Sequence, residues 1–375
     1  VESASAATPT TPARAERDTE LDSGAIGFFD ALVIGLNSTA PAYSLAAVIG
    51  SIVLVVGLQA PAVLIASFIP MFLIASSFYF MNRVDPDCGT TFSWVTRALG
   101  PWAGWMGGWA ICTTGILVVG SLADVGARYT YLIFGADGAA DSRLAVVGLA
   151  VAFIVIMTAI CVIGTELSAR AQNILIIAQV LTLLVFAGAA LIDVYTGGAP
   201  AGSVEPELSW FLPWEVDSLS ALVGGLLIGV FIYWGWESAV NLTEETRDGR
   251  SASGLAALLS TVILLVTYLA VSAAVVGYGG PARLGEFADD EGIFSVLGAE
   301  ILGSPWDKLV LLAIITSALA STRPPSSRRR GPRSRWPAGR RSPPSWRPST
   351  AATRPRTCRR CSWRSWPSPG TCRSA

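Results

Sequence analysis

Residues 33–50 read VIGLNSTAPAYSLAAVIG, an apolar stretch interrupted at its centre by Gly35, Leu36, Asn37, Ser38, Thr39, Ala40 and Pro41. Proline has no amide hydrogen to donate and disfavours helical geometry at the residue before it, while Asn, Ser and Thr side chains compete for main-chain groups. In hydrocarbon an unpaired main-chain group is costly, so such an interruption survives only where it lines a cavity within protein or receives other partners. The stretch therefore predicts a transmembrane helix that opens near mid-bilayer. A matching interruption, Tyr233-Trp234-Gly235-Trp236-Glu237, lies in the apolar run that starts near Leu219. Paired breaks of this kind point to two inverted repeats of five helices with a substrate held between the half-helix ends.

The composition agrees with a membrane setting. Hydrophobic residues are 52% of the 375 and charged residues 14%, and the mean hydropathy is +0.54. About 20 apolar residues make one helical crossing, and the runs between breaks predict eight spans, at 28–58, 61–82, 101–134, 144–164, 168–192, 219–245, 254–279 and 305–322. The fold class is thus an all-α integral membrane protein. Histidine is absent, which removes the commonest general base and metal ligand and with it most hydrolase and di-metal chemistry. Cys88, Cys112 and Cys161 have no metal or disulfide spacing and read as small buried hydrophobes.

Arginine placement sets the expected orientation. Arg14 and Arg17 precede span 1, Arg83 and Arg97 lie between spans 2 and 3, Arg170 follows span 4, and Arg247 and Arg250 follow span 6. These connections, and the N-terminus, are expected on the cytoplasmic side of the inner membrane. Residues 1–24 are polar, with an acidic cluster, and read as a disordered cytoplasmic lead.

Residues 323–375 differ in kind from the apolar part at 25–322. They contain 15 arginines and no acid, and use eight residue types in 53 positions. Each of the eight can be encoded with G or C in the middle base, as happens when a GC-rich gene is read out of frame. Shifting the frame of one allowed codon set gives TTILPTARTTLSMA, a fair continuation of a membrane helix. The competing reading is a disordered basic arm for anionic headgroups or nucleic acid; for the chain as read out of frame, no nucleic-acid partner is expected.

The segments Val33–Gly50, Asp85–Trp109 (DPDCGTTFSWVTRALGPWAGWMGGW), Gly164–Gln179 (GTELSARAQNILIIAQ) and Phe231–Gly249 (FIYWGWESAVNLTEETRDG) resemble the amino acid permeases of the amino acid, polyamine and organocation transporter superfamily. The resemblance runs from about Gly27 to Thr322. It implies a five-plus-five inverted-repeat fold and secondary transport of amino acids by alternating access, with the lipid bilayer and a small-molecule amino acid as partners. It implies substrate contacts at Gly35, Asn37, Ser38, Thr39, Ala40, Tyr233, Trp234, Gly235 and Trp236, with Glu244 and Glu245 at a gate-like helix end. Coupling or gating falls to Glu237, Gln179, Thr316 and Ser317. Proton-coupled relatives often carry Lys where Gln179 stands. No cofactor is implied beyond a coupling ion, sodium or proton, and no resident metal. Spans 9–12 of the family are missing from this reading, so a nonfunctional truncated remnant is one alternative. A membrane enzyme using Glu237 with Asp124 is another; Asp124 and Arg128, four apart, read more simply as an ion pair along one helix.

Overall fold

The computed structural model describes residues 24, 26–163, 169–287 and 292–321, with side chains for all of these except 161–163, 169 and 170. The acidic lead, residues 164–168 of the third motif, the Asp289 to Glu291 cluster and the arginine-rich tail lie outside the described residues, as does the side chain of Cys161. All described residues belong to one compact unit.

Helix is the only regular secondary structure among the described residues, apart from one isolated bridge between Ile26 and Thr246. The first span is divided into α1 (Phe28–Thr39) and α2 (Pro41–Val56), followed by α3 (Ala60–Val84), α4 (Thr90–Leu99), α5 (Pro101–Ile133), α6 (Asp137–Ala140), α7 (Arg143–Ile163) and α8 (Ala169–Thr196). Then come α9 (Leu219–Ile232), a 3-10 segment (Trp236–Leu242), α10 (Gly249–Gly279), α11 (Pro281–Glu286), α12 (Ile293–Leu302) and α13 (Asp307–Ser321). Six stretches are long and apolar enough to cross a membrane: Phe28–Val84, which holds α1 to α3, and Pro101–Ile133, Arg143–Ile160, Ala171–Thr196, Leu219–Leu242 and Gly249–Gly279.

The helices differ from the expected stretches in three places. The amphipathic α4 stands in what reads as a loop, because its ten residues carry too few apolar positions to register as a crossing. The short α11 and α12 fill the connection between spans 7 and 8. Span 7 begins at Gly249 rather than 254, since its first turn is polar and helical at once.

Helix α10 is the centre of the unit: it packs against α1, α3 and α8, and the faces of its residues from Val271 to Gly279 are all buried. Without a hydrophobic drive between helices in lipid, close approach depends on small residues. Helix α9 lies on α3 in this way: a methyl on Gly225 would come within 3.0 Å of Val63, and one on Gly229 within 3.1 Å of Ser67 Cβ. A ring cluster, Phe68, Tyr233 and Tyr268, ties α3, the second break and α10 together, with centroids 6.0 and 5.3 Å apart.

Candidate binding site at two broken helices

The first break is a sharp one. Helix α1 stops at Thr39, Ala40 takes a left-handed conformation (φ 48°, ψ 63°), and α2 restarts with Pro41 as its first residue. Left-handed geometry costs an L-residue about 1–2 kcal/mol. It persists here because Pro41 disfavours helical geometry at Ala40 and local bonds replace the lost ladder: Ala40 donates its amide to Asn37 O (3.1 Å), and Thr39 Oγ1 donates to Leu36 O (2.7 Å). Ser321 on α13 donates to the same Asn37 carbonyl (2.5 Å).

The second break follows Ile232. Tyr233 and Trp234 form a turn, Gly235 has φ +123°, and the chain continues as a 3-10 segment rather than an α-helix. The Gly235 amide freed by the break donates to Glu237 Oε2 (3.1 Å), and the Trp234 side chain also interacts with that carboxylate. Glu237 therefore serves its own helix end. Among the described residues it meets no cation.

The two breaks touch. A methyl on Gly235 would lie 2.6 Å from the Ser38 carbonyl oxygen and 2.9 Å from the Thr39 amide nitrogen. Gly35, one turn before the first break, packs against Ser260 of α10 and Ala239 of the 3-10 segment. Gly35, Asn37, Ser38, Thr39, Ala40 and Gly235 thus come together, with Asn37 and Ser38 partly exposed and the others buried. The aromatics divide. Trp234 stays partly exposed beside Glu237. Tyr233 is fully buried, donates its hydroxyl to Leu64 O on α3 (3.2 Å) and is packed between Phe68 and Tyr268. Trp236 stacks edge-on against Phe78 of α3 at 5.1 Å, and its Nε1 is buried without a partner.

Gln179, Thr316 and Ser317, read separately in the sequence, fall into one neighbourhood. Gln179 on α8 donates its side-chain amide to Thr316 Oγ1 on α13 (3.2 Å), and its Oε1 is buried and unpartnered. Ser317 Oγ accepts from the Tyr43 amide in the first turn of α2 (3.5 Å). Thr316 consequently faces α8, while Ser317 faces the first break. Asp124 and Arg128 do not bond along α5 as expected. Asp124 pairs with Arg143 at the start of α7 (2.9 Å) and Arg128 with Asp141 (3.7 Å), because α7 brings its first turn alongside α5.

One face of the unit is latched by several contacts around the end of the 3-10 segment. Ile26 donates its amide to Glu245 O (3.1 Å), and Arg247 donates to Ile26 O (2.8 Å). Glu244 Oε1 accepts from the Cys88 amide (3.2 Å), and Asn241 accepts from Thr90 Oγ1 (2.9 Å). Asn173 on α8 donates to Asp30 on α1 (3.0 Å). Arg97 bridges Asp85 and Asp87 in the same loop. Burial pushes the Cys88 thiol above its usual range, with the nearby Glu244 charge adding to the effect. Cys88 is half-buried and Cys112 exposed on α5, in place of the buried positions expected.

Sequence reasoning missed Ser44 and Tyr268, both buried at the breaks. A serine and a tyrosine inside apolar helices give no signal that separates them from packing residues.

A family model described as amino acid permease matches residues 26–322. The chain is also 25% identical over 205 residues to a cationic amino acid transporter 3, mitochondrial, from Arabidopsis thaliana; the match covers 51% of this chain and 32% of that protein. The chain thus spans about a third of the length of that curated relative.

Proposed function

From the premise that the chain belongs to the amino acid permease family, we propose that it moves amino acids across the cytoplasmic membrane by alternating access. The direct apposition of Gly235 to Ser38 and Thr39 carries this reading. Helix starts present bare amides and a positive dipole end to a carboxylate, and helix ends present carbonyls to an ammonium group. The start of α2 supplies the positive dipole end, with Pro41 lacking an amide hydrogen and the Tyr43 amide held by Ser317 Oγ; the ends of α1 and α9 supply the second. A zwitterion therefore fits between the breaks once they part, with Asn37, Ser38 and Trp234 closest to open space.

The contacts at Ile26, Cys88, Thr90 and Asp30 act as the cytoplasmic latch in this reading, and rocking of α1 with the 3-10 segment releases them. The orientation rests on the arginines of the connecting loops. Gln179 carries no ionisable group, so proton coupling does not run through it; sodium beside Ser317 and the first break, or exchange without an ion, is the alternative to test.

The family match stops at residue 322, one position before the composition changes. This supports the reading of residues 323–375 as translated out of frame.

The decisive experiment is uptake of a radiolabelled amino acid panel into proteoliposomes, by the chain as it stands and by a frame-restored version, with Asn37→Ala as a site control. Cationic amino acids head the panel, because the relative is named for them and Glu237 lacks a counter-charge among the described residues. No uptake by either version, or unchanged uptake by the variant, would remove this assignment.

A further inference from the structure

Helix α13 is 15 residues long, short of the roughly 20 that one crossing needs. Its last residue, Ser321, donates to the Asn37 carbonyl at the first break, so the described part of α13 ends level with that break. Between α5 and α13 the chain runs through α7, α8, α9 with its 3-10 segment, and α10, and each crossing reverses its direction. Helix α13 is therefore antiparallel to α5, and its axis points on toward the start of α5.

One face of α5 shows what lies along that path. Ile111, Gly115, Val119, Leu122 and Gly126 recur at spacings of three and four, which aligns them in a single row along the helix. One end of the row is covered: a methyl on Gly126 would lie 3.3 Å from Ala318 Cβ, and Leu122 is buried. The other end is bare. A methyl on Gly115 would meet nothing within 4 Å among the described residues, and Ile111 is 39% exposed.

We propose that Gly115 and Ile111 form the seat for the continuation of α13, the segment that follows Thr322 in the restored frame. Glycine lets two helix backbones approach closely in lipid, and an apolar helix matches an apolar row. Residues 323–375 as they stand do not match it: they carry 15 arginines and no acid, and arginine held against an apolar face in hydrocarbon is costly. The inference rests on the out-of-frame reading of that tail and adds the place where the rest of span 8 docks. Both helices rise by the same step per residue, so Ile111, 15 positions before Gly126, should face a residue about 15 positions after Ala318, or about the eleventh after Thr322.

The test is oxidative cross-linking in membranes of the full chain in the restored frame. It carries Cys88→Ser, Cys112→Ser and Cys161→Ser, with Ile111→Cys and a second cysteine walked through the positions after Thr322. In-chain cross-links are expected about the eleventh position and again three or four residues away, with yields about threefold or more above those between. Gly115→Leu fills the seat and should cut the peak yield by about fivefold or more, whereas in the chain as it stands it should leave thermal unfolding in detergent unchanged. Cross-links between copies would assign the face to a second molecule, and no cross-link at any position would leave it to lipid; either result overturns the seat, as does loss of stability on Gly115→Leu in the chain as it stands. The continuation is supplied by design, so an uninterrupted native gene would sink the out-of-frame reading without touching the cross-link result.

Discussion

The α-carbon of Gly235 lies against the main chain of Ser38, so close that a Cβ would stand 2.6 Å from the Ser38 carbonyl oxygen. Its φ of +123° is also one that side chains resist. Gly235→Ala should therefore push the two breaks apart and strain the second, at a cost of about 1–3 kcal/mol for the conformation alone. Thermal unfolding in detergent and uptake should both fall. A variant as stable and as active as wild type would show that this contact is dispensable.

Gln179 and Thr316 provide a test of how α8 and α13 are joined. Thr316→Val alone leaves the Gln179 amide buried without its acceptor, which should cost about 1–3 kcal/mol. Adding Gln179→Leu should restore most of that loss, because removing both polar partners is far cheaper than removing one. A melting series on the two single variants and the double variant measures it; simple additivity would mean that the bond does not form.

Asn82 anchors the end of α3 to the start of α10. Its amide donates to Gly249 O (2.8 Å), Arg250 O (3.3 Å) and Ser253 Oγ (3.1 Å), in a fully buried setting. Asn82→Leu strips these bonds from buried acceptors and should lower stability by about 1–3 kcal/mol. Exchange of the first turn of α10 should quicken with it, and unchanged protection of residues 249–254 would contradict the anchor.

Cys88 should be a slow thiol at neutral pH. Only the thiolate reacts, and burial holds the Cys88 thiol above its ordinary value, so alkylation should climb about tenfold per pH unit until that raised value is passed. Glu244→Gln removes a negative neighbour that pushes the thiol up, and so should speed the reaction at fixed pH. Peptide-resolved mass spectrometry follows the site; a flat rate between pH 7 and 9 would rule the shift out.

Sequencing the gene across the codon for Thr322 tests the proposed reading of residues 323–375. A frame interruption is expected there. An uninterrupted frame, together with tail peptides found in the native host, would make the arginine-rich segment a genuine part of the protein.

The breaks were legible because their chemistry is local. Pro41 disfavours continued helix and Gly235 permits a conformation that side chains resist, and both breaks appear where these residues stand; Pro70, carried inside α3, shows that proline alone does not open a helix. Side-chain direction was less legible. Tyr233 reads as a site residue by position, yet a turn of the chain sends its hydroxyl to Leu64 on α3. Asp124 and Arg128 have ideal helical spacing, but Arg143 and Asp141 arrive from the start of α7 and take them. Tyr268 illustrates the converse: its hydroxyl donates to the carbonyl of Ile232, 36 residues away, and only the packing of α10 against the second break makes that bond. Amphipathic α4 has no long apolar run to mark it, since polar residues alternate with Phe92, Trp94 and Val95 over its ten positions.

The bridge between Ile26 and Thr246 makes the polar lead a handle on the machinery. With bonds running from Ile26 to both Glu245 and Arg247, tension or bulk applied upstream of residue 24 is delivered to the strand of chain that leaves the second break. A fluorescent fusion or affinity tag joined there with no slack would tug on the segment that follows the second break, whereas one set behind a long, pliant spacer would leave it undisturbed.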